Sequence, residues 1–132
     1  MALDVAVIGL ACAYPGAPDA NAFWRNIVNG VDSIKDVPID RVDPVYFDPA
    51  SSAVDRIYGR RGGFLDEPLD FEAAAFGIMP RAAEGADPDQ LLALHVAARC
   101  LEDGGYAERP FDRARAGIVL GRGGYLTPGS RA

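Results

Sequence analysis

The chain has 132 residues, 49% hydrophobic and 24% charged, a balance too apolar for intrinsic disorder. Its 13 basic and 19 acidic residues give a net charge of −6, so the basic face that sequence-independent nucleic-acid binding requires is not expected. Asp4 stands where a secretory signal carries positive charge, and Gly9 and Pro15 break the first apolar run, so neither secretion nor a membrane span is expected and a cytoplasmic protein is the default.

In chain order, Val5 to Ile8 is a continuous, partly β-branched apolar run closed by Gly9, the pattern of a strand buried on both faces, expected over about 4–9. In "PDANAFWRNIVNG", Asp19 or Asn21 can cap a helix over about 20–29. Phe23, Trp24, Ile27 and Val28 form its apolar stripe and Gly30 its stop. From Val31 to about Asp70, Pro38, Pro44, Pro49 and Pro68 interrupt any periodicity and Asp recurs beside them, which predicts an irregular excursion that packs on a partner or shapes a site. Within it, "RIYGRRGGFLD" suggests a short hairpin bent at Gly62-Gly63.

"DFEAAAFG" reads as a short helix capped by Asp70. Asp87, Pro88 and Gln90 then form a helix-start signature for a helix over about 87–103, with Leu91, Leu94, Ala98 and Leu101 at spacings of three and four and Gly104-Gly105 as its stop. "GIVLG", about 117–121, is a second buried-strand pattern. The order strand, helix, excursion, helix, strand predicts an α/β layer with both strands in one sheet.

No constellation of residues makes an active site. Gly9 lacks the second glycine that a dinucleotide loop needs, and "GRGG" at 121–124 precedes a Pro-containing tail where that loop needs a helix. Cys12, between Ala11 and Ala13, reads as a small buried hydrophobe with no base nearby in sequence. Cys12 and Cys100 lack the spacing of a zinc or redox pair and are expected as reduced thiols. His95 is the single histidine, in mid-helix. Arg56, Arg60 and Arg61 are either an anion patch or, more simply, solvated partners of Asp55 and Asp66.

Seven motifs in order along nearly the whole chain carry a resemblance: "VAVIGLACAYPGA", "FWRNIVNGVDSI", "VPIDRVD", "GGFLDEPLDFEAAAFGIMP", "DPDQLLAL", "LEDGGY" and "GIVLG". Together they resemble the N-terminal part of the β-ketoacyl synthase domain of modular polyketide synthases and of multidomain fatty-acid synthases. Where that family typically carries Ser-Pro-Arg-Glu-Ala and Met-Asp-Pro-Gln-Gln-Arg-Leu, this chain has Met79-Pro-Arg-Ala-Ala and Ala86-Asp-Pro-Asp-Gln-Leu-Leu, departures that resemble the polyunsaturated fatty-acid synthase branch or a divergent polyketide branch.

The resemblance implies an α/β chain with a partial thiolase-like (β-ketoacyl synthase) fold, N-terminal portion only, occupying 1–132. It implies a parent acyltransferase that performs decarboxylative Claisen condensation on phosphopantetheine-linked substrates, with acyl carrier protein as partner, no directly bound cofactor, and a homodimer of the complete domain. The family's nucleophilic Cys in Asp-Thr-Ala-Cys-Ser-Ser and its two later histidines have no counterpart in these 132 residues. The expected catalytic, cofactor-binding and metal residues are therefore none, and the 132 residues alone are expected to be inactive. A free-standing α/β interaction module is the alternative from another class, and a nucleotide-binding module a third.

Overall fold

A computed structural model describes residues 4–39, 41–65, 71–121 and 123. They divide into two units, one formed by Met1–Ala11 with Leu69–Ala132 and the other by Cys12–Pro68.

In the second unit the tripeptide Tyr14-Pro15-Gly16 sets up a tight turn. Tyr14 and Ala17 exchange backbone hydrogen bonds of 2.8 and 2.9 Å, and Gly16 has φ +68°, the pattern of a turn with Pro in its second position and Gly in its third. The turn delivers the chain to Asp19, whose Oδ1 accepts from the Ala22 amide at 2.7 Å and starts helix α1, Ala20–Val28. Such a cap contributes about 1 kcal/mol. Asn26 Nδ2 donates back to the Gly16 carbonyl at 2.8 Å, which ties the helix to the turn that launched it. Gly30, at φ +63°, ends the helix in the left-handed region.

The excursion from 31 onward is organised by its aspartates. Asp32, Asp43 and Asp48 each accept, through a carboxylate oxygen, from the backbone amide two residues on, at 2.8 to 3.0 Å. These are side-chain mimics of a backbone turn, and they explain why Asp recurs beside proline there. Strand β1, Ile34–Asp36, pairs antiparallel with β2, Arg61–Gly63, with Ile34 opposite Gly63 and Asp36 opposite Arg61. Gly62-Gly63 is therefore not the bend of a hairpin within 56–66 but part of a strand whose partner lies far back in sequence. The glycine allows close approach, since a Cβ on Gly63 would stand 2.9 Å from Pro15 Cγ.

The first unit is built on helix α3, Pro88–Asp103. Asp87 holds the N-cap position, but its carboxylate accepts no first-turn amide, so the start rests on Pro88 and on backbone bonds such as Gln90 N to the Asp87 carbonyl at 2.9 Å. Before it, "DFEAAAFG" forms a single 3-10 turn, Ala73–Phe76, following Glu72 and closed by Gly77 at φ +67°. Asp70, its expected cap, lies outside the described residues. Phe71 and Phe76 stack across this turn with centroids 4.9 Å apart. A short helix α2, Pro80–Glu84, follows it.

The expected strands at about 4–9 and 117–121 carry no ladder in the described residues. Val5 and Val7 are 88% and 85% exposed and Val119 is 99% exposed. A strand exists through its neighbours' hydrogen bonds, and no described strand pairs with either segment. Of the hydrophobic side chains described, only those of Ala17 and Ala22 are buried.

Gly9 has a definite role in the first unit. A Cβ there would meet the Cys100 carbonyl oxygen at 2.5 Å and the Gly104 nitrogen at 2.8 Å, and one on Gly104 would meet the Ile8 carbonyl oxygen at 3.0 Å. The segment thus lies against the C-terminal end of α3, fastened by the Leu10 amide donating to Asp103 Oδ2 at 2.9 Å. Gly9→Ala is expected to cost about 1–3 kcal/mol, because backbone atoms cannot swing aside as a side-chain tip would. Gly117→Ala, with nothing within 4 Å, is expected to be near neutral. Amide exchange of residues 100–106 is the readout, with faster exchange expected in the first variant and no change in the second.

Candidate functional site

The described feature that comes nearest to a site lies in the second unit, where the β1–β2 ladder and the loop from Pro44 to Gly59 flank a cavity of about 330 Å³ that is partly open to solvent. Its walls are made largely by Val37, Val42, Phe47, Ile57 and Phe64, with Arg60 and Arg61 as its charged lining residues. The loop is shaped by backbone bonds. Ile57 N donates to the Tyr46 carbonyl at 2.8 Å and Asp48 N to the Ile57 carbonyl at 3.0 Å, making an isolated bridge between Phe47 and Ile57. Val37 N donates to the Arg60 carbonyl at 2.7 Å and continues the ladder by one bond.

Each arginine here is held by an acidic or aromatic neighbour. Arg60 Nη2 meets Asp36 Oδ2 at 3.4 Å, and its guanidinium lies 4.9 Å from the Phe47 ring centroid. Arg61 Nη2 donates to the Ile34 carbonyl at 2.7 Å and stands 3.5 Å from Asp32 Oδ2. Arg41 lies over the Phe64 ring at 5.7 Å and donates from Nη2 to the Leu65 carbonyl at 2.7 Å, bridging 24 residues of sequence. Arg56 pairs with Asp55 at 3.2 Å, as expected, and does not line the cavity. Asp66, the other expected partner, lies outside the described residues; Asp36 and Asp32 take Arg60 and Arg61 instead.

The remaining candidates are not brought into this cavity. Cys12 and Cys100 are half-buried free thiols, and His95 is half-buried on α3. Among the described residues no group of three or more His, Cys, Asp and Glu is placed to hold a metal, and no helix is long and apolar enough to cross a membrane. Arg41 and the cavity walls were not legible as a site in the sequence; the only local trace is an arginine or aromatic residue recurring through a stretch without period.

The family model described as "Beta-ketoacyl synthase, N-terminal domain" matches residues 2–131. The chain belongs to the β-ketoacyl synthase family. Polyketide synthase ThaG of Burkholderia thailandensis is 41% identical to this ketosynthase chain over 118 residues, covering 89% of the chain and 2% of ThaG. A polyunsaturated fatty acid synthase from Thraustochytrium sp. is 37% identical over 121 residues, covering 91% of the chain and 4% of that synthase polypeptide. A solved oxazolomycin ketosynthase domain from Streptomyces albus superposes with a TM-score of 0.67 at 35% identity, over 74% of this chain and 17% of that one. The ketosynthase chain therefore shares the thiolase-like fold of condensing domains over its N-terminal portion, and it spans only a few per cent of the synthases it matches.

Within this ketosynthase chain Arg41 is the clasp of the second unit. Arg41→Ala is expected to cost about 1 kcal/mol, since its charge-assisted bond to the Leu65 carbonyl is exposed and only partly offset by water. The local readout is amide exchange, with residues 61–65 opening more readily in the variant and residues 20–28 unchanged.

Proposed function

We propose that the chain supplies the N-terminal scaffold of a condensing domain that extends an acyl chain by decarboxylative Claisen condensation. In that reaction an acyl group is held as a thioester on a cysteine of the domain. A malonyl unit on phosphopantetheine loses carbon dioxide, its enolate carbon attacks the thioester carbon, and the cysteine thiolate leaves as the new carbon–carbon bond forms. The partner is an acyl carrier protein that presents the malonyl unit, and the complete domain acts as a cytoplasmic homodimer.

The observation that carries this reading is the family match across residues 2–131, joined to the structural likeness to a ketosynthase domain at 35% identity. We assign no catalytic, cofactor or metal residue within 1–132. Cys12 is a half-buried thiol in Ala-Cys-Ala, and the single histidine, His95, lies in the middle of α3. A free-standing interaction module is not favoured, because Ala17 and Ala22 alone are buried among the described hydrophobic residues and such a core is too small to hold a domain by itself.

Acyl labelling with mass spectrometry tests the assignment. The 132-residue chain is expected to gain no specific acyl thioester on Cys12 or Cys100 and to show no condensation. In a complete synthase carrying this chain, Cys12→Ser is expected to keep condensation while lowering the melting temperature, since a half-buried hydroxyl lacking a partner costs roughly 1–3 kcal/mol. A variant that keeps its melting temperature and loses condensation contradicts the scaffold role.

A further inference from the structure

We propose that the cavity between the β1–β2 ladder and the Pro44–Gly59 loop binds a single-chain amphiphilic anion, with its aliphatic tail in the chamber and its head on Arg60 and Arg61. The proposal does not rest on the condensing reaction, in which no role is assigned to these residues.

The volume and the walls define the tail. A chamber of about 330 Å³ lies at the small end of ligand sites. Water filling it would lie largely against apolar side chains. Val37, Val42, Phe47, Ile57 and Phe64 would give that water almost no hydrogen bonds. An aliphatic chain replaces such water favourably, and two cations line the cavity.

Charge defines the head. Both charged side chains lining the cavity are guanidinium groups, and no carboxylate lines it among the described residues. Arg60 and Arg61 meet Asp36 and Asp32 through Nη2 at 3.4 and 3.5 Å, well beyond the 2.7–2.9 Å or so of a tight charge-assisted bond. Both arginine side chains are at least half exposed. These contacts, and the 2.7 Å bond from Arg61 to the Ile34 carbonyl, engage Nη2, which belongs to both two-donor edges of a guanidinium, so an incoming anion is met by one N–H from Nη1 of each arginine, and the Phe47 ring lies 4.9 Å from the Arg60 guanidinium. Carboxylate and phosphate heads share this chemistry; an alcohol or an ammonium head does not.

The test uses a complete synthase carrying this chain, irradiated with a decanoate that carries a diazirine in its tail, with adducts within residues 1–132 mapped by mass spectrometry. Decanoate, decyl phosphate, decanol and decylammonium serve as competitors. Adducts are expected to concentrate on peptides from residues 37–64. The two anions are expected to compete at about tenfold lower concentration than the other two, the worth of a charge-assisted contact. Which anion competes better identifies the head. The double variant Arg60→Gln with Arg61→Gln is expected to lose that preference while decanol competition stays the same. Arg60→Lys, which keeps the charge, is expected to retain most of it and guards against a variant that merely misfolds. Adducts spread over the exposed runs at 5–8 and 118–120 would overturn the proposal, as would competition indifferent to head charge or a preference that survives the double variant. No labelling of 37–64 in the synthase would mean that protein fills the cavity, and would overturn it equally.

Discussion

An extended segment rich in Val and Ile holds its shape only when neighbouring strands take its amides and other layers cover its two faces. In this chain the two such segments, at 4–9 and 117–121, meet neither condition among the described residues. Val7 is 85% exposed and Ile118 83%, whereas burying either side chain would contribute about 1.5–3 kcal/mol. Much of the rest follows from this surplus of uncovered apolar surface. The stripe of α3 is no exception, for none of its residues is buried, and Leu94 and Leu101 remain well exposed. Under the proposed function, these surfaces would be interior surfaces of a condensing domain.

What does hold the chain is short-range and polar. The Asp19 cap, the Pro15-Gly16 turn and the aspartate turns at 32, 43 and 48 each link groups only a few residues apart. Longer links among the described residues include the β1–β2 ladder with the Arg60 and Arg61 contacts to Asp36, Asp32 and the Ile34 carbonyl, the Arg41 clasp, and the close approach of Gly9 to the end of α3 with its Leu10 to Asp103 bond. A scaffold built this way presents prepared local geometry and leaves the large hydrophobic term to be collected from other layers.

The same division decides what was legible in the sequence. Helices α1 and α3 could be read because caps, stops and apolar spacing are local properties, and Asp19, Gly30, Pro88 and Gly104 mark them to within a residue or two. The ladder between 34–36 and 61–63 could not, since three-residue strands carry no usable alternation and their pairing is a matter of tertiary contact. Gly9 was visible, but a glycine admits either a positive φ or a close approach, and only the neighbouring Cys100 carbonyl shows that the second applies. The arginines were visible too, while their partners, 24 to 29 residues away, were not. Seven weak motifs in order nonetheless placed the family, because order along a chain constrains far more than any one residue type.

The central claim is that the exposed runs at 4–9 and 117–121 become interior strands of a larger condensing domain. Amide exchange of these two runs, measured side by side in the 132-residue chain and in a complete synthase that carries it, tests this most directly. The account predicts near-unprotected exchange in the chain by itself and slowing by at least about a hundredfold in the synthase, as ladder bonds form and both faces are covered. Equal exchange in the two settings would contradict it.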